Sequence, residues 1–490
     1  MTRVRLAILL VSMVACLMAA CKSSGSNNST TVETSAKENV NTINTGQQSD
    51  EDQIDALSFE PQSQLIISAE FASTVPALAV STVTVTLDTS SIHLNGEVAV
   101  MFPVYNIGGD RYFKLRDLAY MLSGTNKQFA IEWNSESKAI ILTSGETYTT
   151  VGGEMTVKSG VFKSASRSSS KIFLDGEEVR LSPYHIEGNN YLRLRDIGRI
   201  FDFTVEWDGE NNTFIVNTET GNTWKYVTVS TPQELFDAIA PETTITIKAG
   251  VYDLSAVTET VSQYVTAGSR TAALMVVSVD GLILQAESGA DVELVTPDLF
   301  SEVMEFSYCS NITLSGIKAG HSVTEKYQCD AGVVRFNDSA NIMIDNCMFY
   351  GCGSIGIRLW GCIYAQISDT TITDCSLRAV DISRSDHIVF TGCSFIDNRA
   401  YGCVIFGNDS FAEFIDCKIS GNKSLEWSCV EFTGDVLFER CVFLNNALIG
   451  GSEPLFAGSK ITLRDCEIEK NNFSAYWNYG VIDLGGNLRK

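Results

Sequence analysis

Positive charge is scarce in this sequence. Over 490 residues, 35 lysines and arginines stand against 59 aspartates and glutamates, for a formal charge of −24 and a pI near 4.6. No basic run offsets that field, which would repel a polyanion, so nucleic-acid binding is disfavoured. Histidine is scarcer still, with four in all. His93 and His185 have no partner set, His321 and His387 are far apart in register, and no Cys-x-x-Cys pair exists. Neither a zinc nor a copper centre is therefore expected. Long apolar runs are almost absent. The one that stands out, Leu6 to Ala20, has fifteen residues, fewer than the roughly 20 that cross a bilayer as a helix.

What is present begins with that run. Arg3 and Arg5 precede it, giving the positive start and apolar body of an export signal. It ends Leu17-Met18-Ala19-Ala20-Cys21, which resembles the lipobox of bacterial lipoproteins, with Met18 a departure from the usual leucine. The resemblance implies that Cys21 becomes the lipidated first residue of an exported protein held on the outer face of the cell membrane. Residues 22–60 are Ser, Thr, Asn, Gln and acidic side chains with almost no aromatic content. Such a stretch cannot bury enough apolar surface to offset chain entropy and is expected to be a tether. The remaining length exceeds a single hydrophobic core, so two or more domains are expected.

A long repeat lies between Ser91 and Asn217. Tyr105 to Leu118 is echoed by Tyr184 to Ile197 at an offset of 79. Upstream, Ile92-His-Leu-Asn95-Gly96 matches Ile172-Phe-Leu-Asp175-Gly176; downstream, Phe129 to Trp133 matches Phe203 to Trp207. Asn-Gly and Asp-Gly between alternating runs are hairpin signals. The apolar positions 115, 118, 121 and 122 predict a short helix. Each unit should therefore run strand, turn, strand, short helix, then a strand ending in Trp and one more strand. These residues resemble the copper amine oxidase N-terminal-like, or stalk, domain of bacterial surface proteins, an α+β fold. No copper chemistry follows, because the segment lacks cysteine and a histidine set. Arg116–Asp117 and Arg195–Asp196 are expected to be helix-orienting surface or interface charges, and Tyr112, Tyr191, Trp133 and Trp207 packing residues.

The second repeat is shorter. Cys347, Thr370, Cys393, Cys417, Cys441 and Cys466 follow at intervals of 23, 23, 24, 24 and 25 residues. Five positions after each marker comes a turn-type column: Cys352, Cys375, Asn398, Asn422, Asn446 and Asn471. A period in the twenties signals a solenoid, whose repeats bury their apolar faces only by stacking. Each period holds two or three short β-rich runs broken by Gly, Asn, Asp or Ser, and none keeps a helical period for ten residues, which argues against leucine-rich repeats. Upstream, Thr231, Pro232 and Glu234 form a helix start of capping-box type, followed by strands at Thr244 to Lys248 and Gly250 to Leu254. This helix-then-strand opening resembles the start of pectate-lyase-like right-handed parallel β-helices, in which the helix covers the open end of the stack. The fold class is thus mainly β: a right-handed parallel β-helix preceded by a small two-repeat α+β stalk domain. The expected divisions are 1–20 signal, 21–80 lipidated Cys21 and tether, 81–220 stalk domain and 221–490 β-helix with its cap helix.

Strand alternation assigns faces. Val334/Phe336, Ile357/Leu359, Val380/Ile382, Val404/Phe406 and Val430/Phe432 should point inward, leaving Arg335, Arg358, Asp381, Ile405 and Glu431 outside. The cysteine column shares the inward face as small apolar filler. Disulfides, if any, belong off that column, as between Cys352 and Cys375 or Cys403 and Cys429. Parallel β-helices that act on polysaccharides carry their acid–base groups on one outer face. Here the catalytic candidates are Arg335, Arg358, Asp381 and Glu431, joined by His321 and Asp330 from the one excursion that breaks the period. Trp360 and Arg378 beside them are candidate ligand contacts. Calcium would enter only with a lyase activity; no dense Asp cluster marks a site for it, and no other cofactor is implied. The leading expectation is non-catalytic binding or display of glycan or another surface ligand, ahead of polysaccharide lyase or hydrolase activity and of a structural or adhesive envelope protein. A homotypic contact at the C-terminal coil is also expected to be open, since no helix follows Val481 to Leu484.

Overall fold

Alternating apolar residues in the stretch from Ser91 to Asn217 build two interlocked copies of one unit. The computed structural model describes residues 82–489 except 98–99, 157–161, 169, 180, 182, 268, 270, 324–330, 352–353 and 477–479. In each unit a strand and a β-hairpin lead into a short helix, α1 (Leu115–Leu122) or α2 (Leu194–Phe201), and a second hairpin follows. Strands Thr82–Leu94, Val100–Ile107, Asp110–Lys114, Asn189–Arg193, Tyr184–Ile186 and Phe162–Arg167 pair in that order, and the last closes on the first. Closure removes the free edges an open sheet would present.

The two units exchange their second hairpins. Ala139–Ser144 of the first pairs in parallel with Lys171–Leu174 of the second, and Thr213–Asn217 of the second pairs in parallel with the end of Thr82–Leu94. The equivalent turn residues Asn95 and Asp175 close these joints. Both have positive φ, Asn95 accepts from the Thr218 amide at 2.8 Å, and Asp175 accepts from the Ser144 amide at 2.9 Å. Inside the ring, Tyr105 meets Tyr191 and Tyr112 meets Tyr184 edge-to-face at 5.2 and 5.0 Å. Of the expected packing residues, Trp133 is the exception, being exposed. The helix aspartates also choose other partners than their neighbours. Asp117 is buried against Lys114 at 2.9 Å, and Asp196 holds Arg193 at 2.7 Å.

From Lys225 onward the chain winds into parallel coils with three faces. The first face contains Ala272–Val277, Glu302–Ser307, Val334–Asn337, Ile355–Trp360 and Arg378–Ser383, continuing through the leading parts of Ile405–Ile415, Val430–Glu439 and Phe456–Arg464. The second runs from Lys225–Val229 through Ala340–Asp345 to Val481–Asp483, and the third from Gly250–Asp253 to Leu488–Arg489. Helix α3 (Pro232–Ala238) starts with the expected capping box between Thr231 and Glu234 and buries Leu235 and Phe236 in the solenoid core. One apolar core runs through the stack, as the repeat requires. On the second face Phe390, Phe414 and Phe438 stack at 4.7 and 4.8 Å, close to the strand spacing.

Each corner turns the backbone inward, so its amides need an acceptor from the next coil. The cysteine column occupies one corner, where Cys393, Cys417 and Cys441 place Sγ 3.4, 3.5 and 3.1 Å from carbonyls of the preceding coil. Thr370 fits the gap because its hydroxyl accepts from the Cys347 amide at 3.3 Å. The asparagine column forms a second ladder: Asn422 Oδ1 accepts from the Asn398 amide, and its Nδ2 donates to Phe395 O and Asn446 Oδ1. A third ladder, of Ser339, Ser385 and Ser410 with Cys309 and Cys362, lines the remaining corner. Cys403, Cys429 and Cys375 are free thiols, so the bridge between Cys403 and Cys429 is absent, and Cys352 lies outside the described residues.

Burial pushes the thiols of Cys347, Cys362 and Cys403 up to about 12, and a neutral thiol is a poor nucleophile. At about pH 8 the native protein should leave these three unalkylated by iodoacetamide and take up label on denaturation, read by peptide mass spectrometry. Fast labelling of native Cys347 would show that the corners open.

The two-unit N-terminal part and the solenoid belong to one compact unit. Arg195 at the start of α2 reaches Asp280 at 3.3 Å, Asn341 donates to Asp110 at 2.8 Å, and Gly108 lies against the Tyr364 ring.

Candidate functional site

The first face carries the column expected from alternation, with one correction. Glu305, Arg335, Arg358, Asp381, Phe406, Glu431 and Ala457 stand in register. Phe406 therefore replaces Ile405 in the outward column, while Ile405 is buried in the core. The pair in register with Val380 and Ile382 is Ile405 and Gly407; Val404, expected inward, is buried in the core as well, and only Phe406 is not. Gly407 sits opposite Phe432, whose ring would lie 2.0 Å from any Cβ placed there. A glycine pointing in and a phenylalanine pointing out invert the usual pattern, which is why alternation alone slipped by one residue here.

The column's charges are paired. Buried Glu302 accepts from Arg335 at 2.6 Å and Arg358 at 3.4 Å, and Arg335 also lies 3.6 Å from Glu305. Burial raises the Glu302 carboxyl above its usual range against the pull of both guanidiniums. Glu305 further accepts from Asn337 and Ser307, each at 2.9 Å. Asp381 is only 7% exposed; it holds Arg378 at 2.7 Å and accepts from Ser383 at 2.7 Å. Arg378 in turn lies over the Phe406 ring, 3.9 Å from its centroid, a favourable cation–π geometry. Glu431 is different. Among the described residues it forms no ion pair, and burial, with Glu453 nearby, raises its carboxyl while Arg378 opposes.

Of the other candidates, His321 is not on this face. It ends the third-face strand Ile317–His321, is buried, and places Nε2 3.0 Å from Ser301 O. Desolvation lowers its pKa, so it is a neutral packing group and not an exposed acid or base. Asp330 and Cys21 lie outside the described residues. Trp360 is where the sequence suggested, at the far edge of the face, 43% exposed, with the Arg384 guanidinium 5.9 Å from its ring centroid. At the entry edge stand two rings the sequence did not single out, Tyr401 and Trp427, 54% and 47% exposed. Ser424 ties their corner together, its Oγ lying 2.6 Å from Trp427 O, to which it donates, and 2.9 Å from Gly402 O. Among the described residues no three His, Cys, Asp or Glu side chains converge as a metal ion would need.

A family model described as "Right handed beta helix region" matches residues 306–488. The solenoid is a right-handed parallel β-helix. The chain is similar to a pectate lyase from Bacillus sp. N165 solved with trigalacturonate (12% identity, TM-score 0.34, covering 52% of this chain and 83% of that one). It is also similar to an endo-xylogalacturonan hydrolase from Aspergillus tubingensis (13%, 0.33, 54% and 85%) and to an alginate lyase from Paenibacillus sp. str. FPU-7 (11%, 0.33, 52% and 99%). No curated protein matches the chain.

Proposed function

We propose that this β-helix is a glycan-binding surface without catalytic turnover, on an exported protein anchored by lipid at Cys21 and raised from the membrane by a stalk domain. The observation that carries the binding role is the first face itself. Its column arginines and aspartate are tied up in ion pairs, while Trp360, Tyr401 and Trp427 expose rings at its two edges. Exposed aromatic rings in a polar surround mark interaction sites, and sugar rings offer them apolar C–H faces flanked by hydroxyls. General acid–base catalysis needs a carboxyl with freedom to exchange its proton with substrate, and Glu302, Glu305 and Asp381 are each committed to neighbours.

The test is titration of neutral and uronic-acid oligosaccharides by calorimetry, in parallel with absorbance of unsaturated product and a reducing-end assay. Trp360→Ala combined with Trp427→Ala should weaken binding about tenfold, or about 1.4 kcal/mol, with no turnover in either protein. Turnover lost on Glu431→Gln would replace this reading with that of a lyase or hydrolase, which the unpaired, raised Glu431 carboxyl favours. The anchor is tested separately: fatty-acid labelling in cells should appear on the wild type and vanish in Cys21→Ser.

A further inference from the structure

Every charge in the first-face column is answered by a neighbour except one. Glu305 lies beside Arg335, Arg335 and Arg358 share Glu302, and Asp381 holds Arg378. Glu431 stands in register between Phe406 and Ala457, whose side chains offer it no polar atom. Arg378, whose field reaches it, is taken by Asp381 and by the Phe406 ring. Glu453, exposed in the next coil, adds a second negative field. Among the described residues neither Glu431 nor Glu453 has an ion pair, so a partner for Glu431 has to come from outside the chain.

The exposed rings of the entry edge lie close by. Ser424 Oγ sits between Trp427 O and Gly402 O, which holds the turns of Trp427 and Tyr401 against each other on adjacent coils. Trp427 precedes Glu431 by four residues, at most ~14 Å of chain. An open indole and an unanswered carboxylate thus fall within the reach of one short oligosaccharide. A sugar hydroxyl would hydrogen-bond Glu431, but an ammonium forms a charge-assisted bond roughly twice as strong. An ammonium is also drawn to the face of an aromatic ring. A uronate is repelled by Glu431 and Glu453, and by a chain of net charge −24. A sugar ring that bears its own ammonium meets the indole and the carboxylate together.

We infer that the stretch of the first face from Tyr401 and Trp427 to Glu431 selects glycans with free amino groups, such as glucosamine oligomers, over their N-acetylated and uronic-acid counterparts. The inference rests on the glycan-binding reading of this face and names the sugar class it takes.

Calorimetry on the full chain tests it with a chitosan trimer, chitotriose, trigalacturonate and trilysine, in buffer acidic enough to hold the sugar amines protonated. The chitosan trimer should bind about tenfold tighter than chitotriose, the gain expected of one charge-assisted hydrogen bond, and trigalacturonate should bind most weakly. Glu431→Gln should remove that preference while chitotriose affinity stays as it was; Trp427→Ala should weaken both sugars alike. Glu287→Gln, which removes an exposed charge in the turn after strand Asp280–Ala286, should change neither. If Glu431→Gln melts early, Glu453→Gln at its exposed position takes its place and should narrow the preference. Chitotriose bound as tightly as the chitosan trimer would overturn this inference and leave the glycan-binding face standing. A preference unmoved by the variants at this site, one lost equally in Glu287→Gln, or trilysine bound as tightly as the sugar would also overturn it. No binding of any sugar would overturn both readings.

Discussion

Phe414→Ala is expected to destabilise the solenoid by about 3–5 kcal/mol, the usual cost of emptying a buried aromatic site. Phe414 is fully buried between Phe390 and Phe438, with Phe395 from the third face edge-on at 5.8 Å. The coils around it are held at strand spacing by continuous ladders on all three faces, so they have little freedom to collapse into the void. In a one-dimensional stack the loss also breaks the coupling between neighbouring repeats. Urea unfolding followed by circular dichroism should show a lower midpoint and a transition that splits in two as the coils on either side uncouple. A single transition with a loss under about 1 kcal/mol would mean that the site relaxes and the stack is not the rigid element described.

Asn422→Ala should cost a comparable amount for a different reason. Its side chain makes four hydrogen bonds within the corner: from the Asn398 amide and Nδ2, and to Phe395 O and Asn446 Oδ1. Alanine removes this partner from the Asn398 amide and Phe395 O, at about 1–3 kcal/mol for each one that water cannot reach, while Asn398 Nδ2 keeps Ile372 O and Asn446 Oδ1 keeps the residue 422 amide. Hydrogen exchange offers the sharper readout. The Asn398 amide should lose protection in the variant while the Cys393 corner, at the other end of the short strand Ser394–Ile396, keeps its own. Equal loss at both corners would show that the coil melts as a whole and that the asparagine ladder has no local role.

These two sites also show what could be foreseen. The asparagine and cysteine columns were visible as intervals near 24 residues, and Thr370 was legible as the occupant of a gap in the cysteine line. Their hydrogen-bond partners were not visible, because each lies one coil away and depends on how the corner turns. The serine ladder of Ser339, Ser385 and Ser410 was missed: serine is common in turns, and nothing in its spacing stands out until the coils are superposed. The outward column of Arg335, Arg358, Asp381 and Glu431 followed from alternation. Phe406 did not, since alternation cannot tell a half-buried phenylalanine laid against an arginine from one in the core. Only Phe432, filling the space above Gly407, decides that register.

The two-unit part before the solenoid divides along the same line. Its two units, with their turns and helices, were readable from the offset of 79 because each depends on local propensity and turn chemistry. That the units exchange hairpins and close a six-stranded ring could not be read, because strand pairing between residues as far apart as Thr82 and Ser166, or Ser91 and Thr213, has no local signature. By itself, then, the sequence determined the solenoid, its period, its capped start and its inward columns, all consequences of periodic burial repeated coil after coil. Tertiary structure alone decided which carboxylates are neutralised and where the exposed rings gather. It also decided that Glu431 is left without a partner, since all of these depend on residues that meet only once the chain has wound and docked.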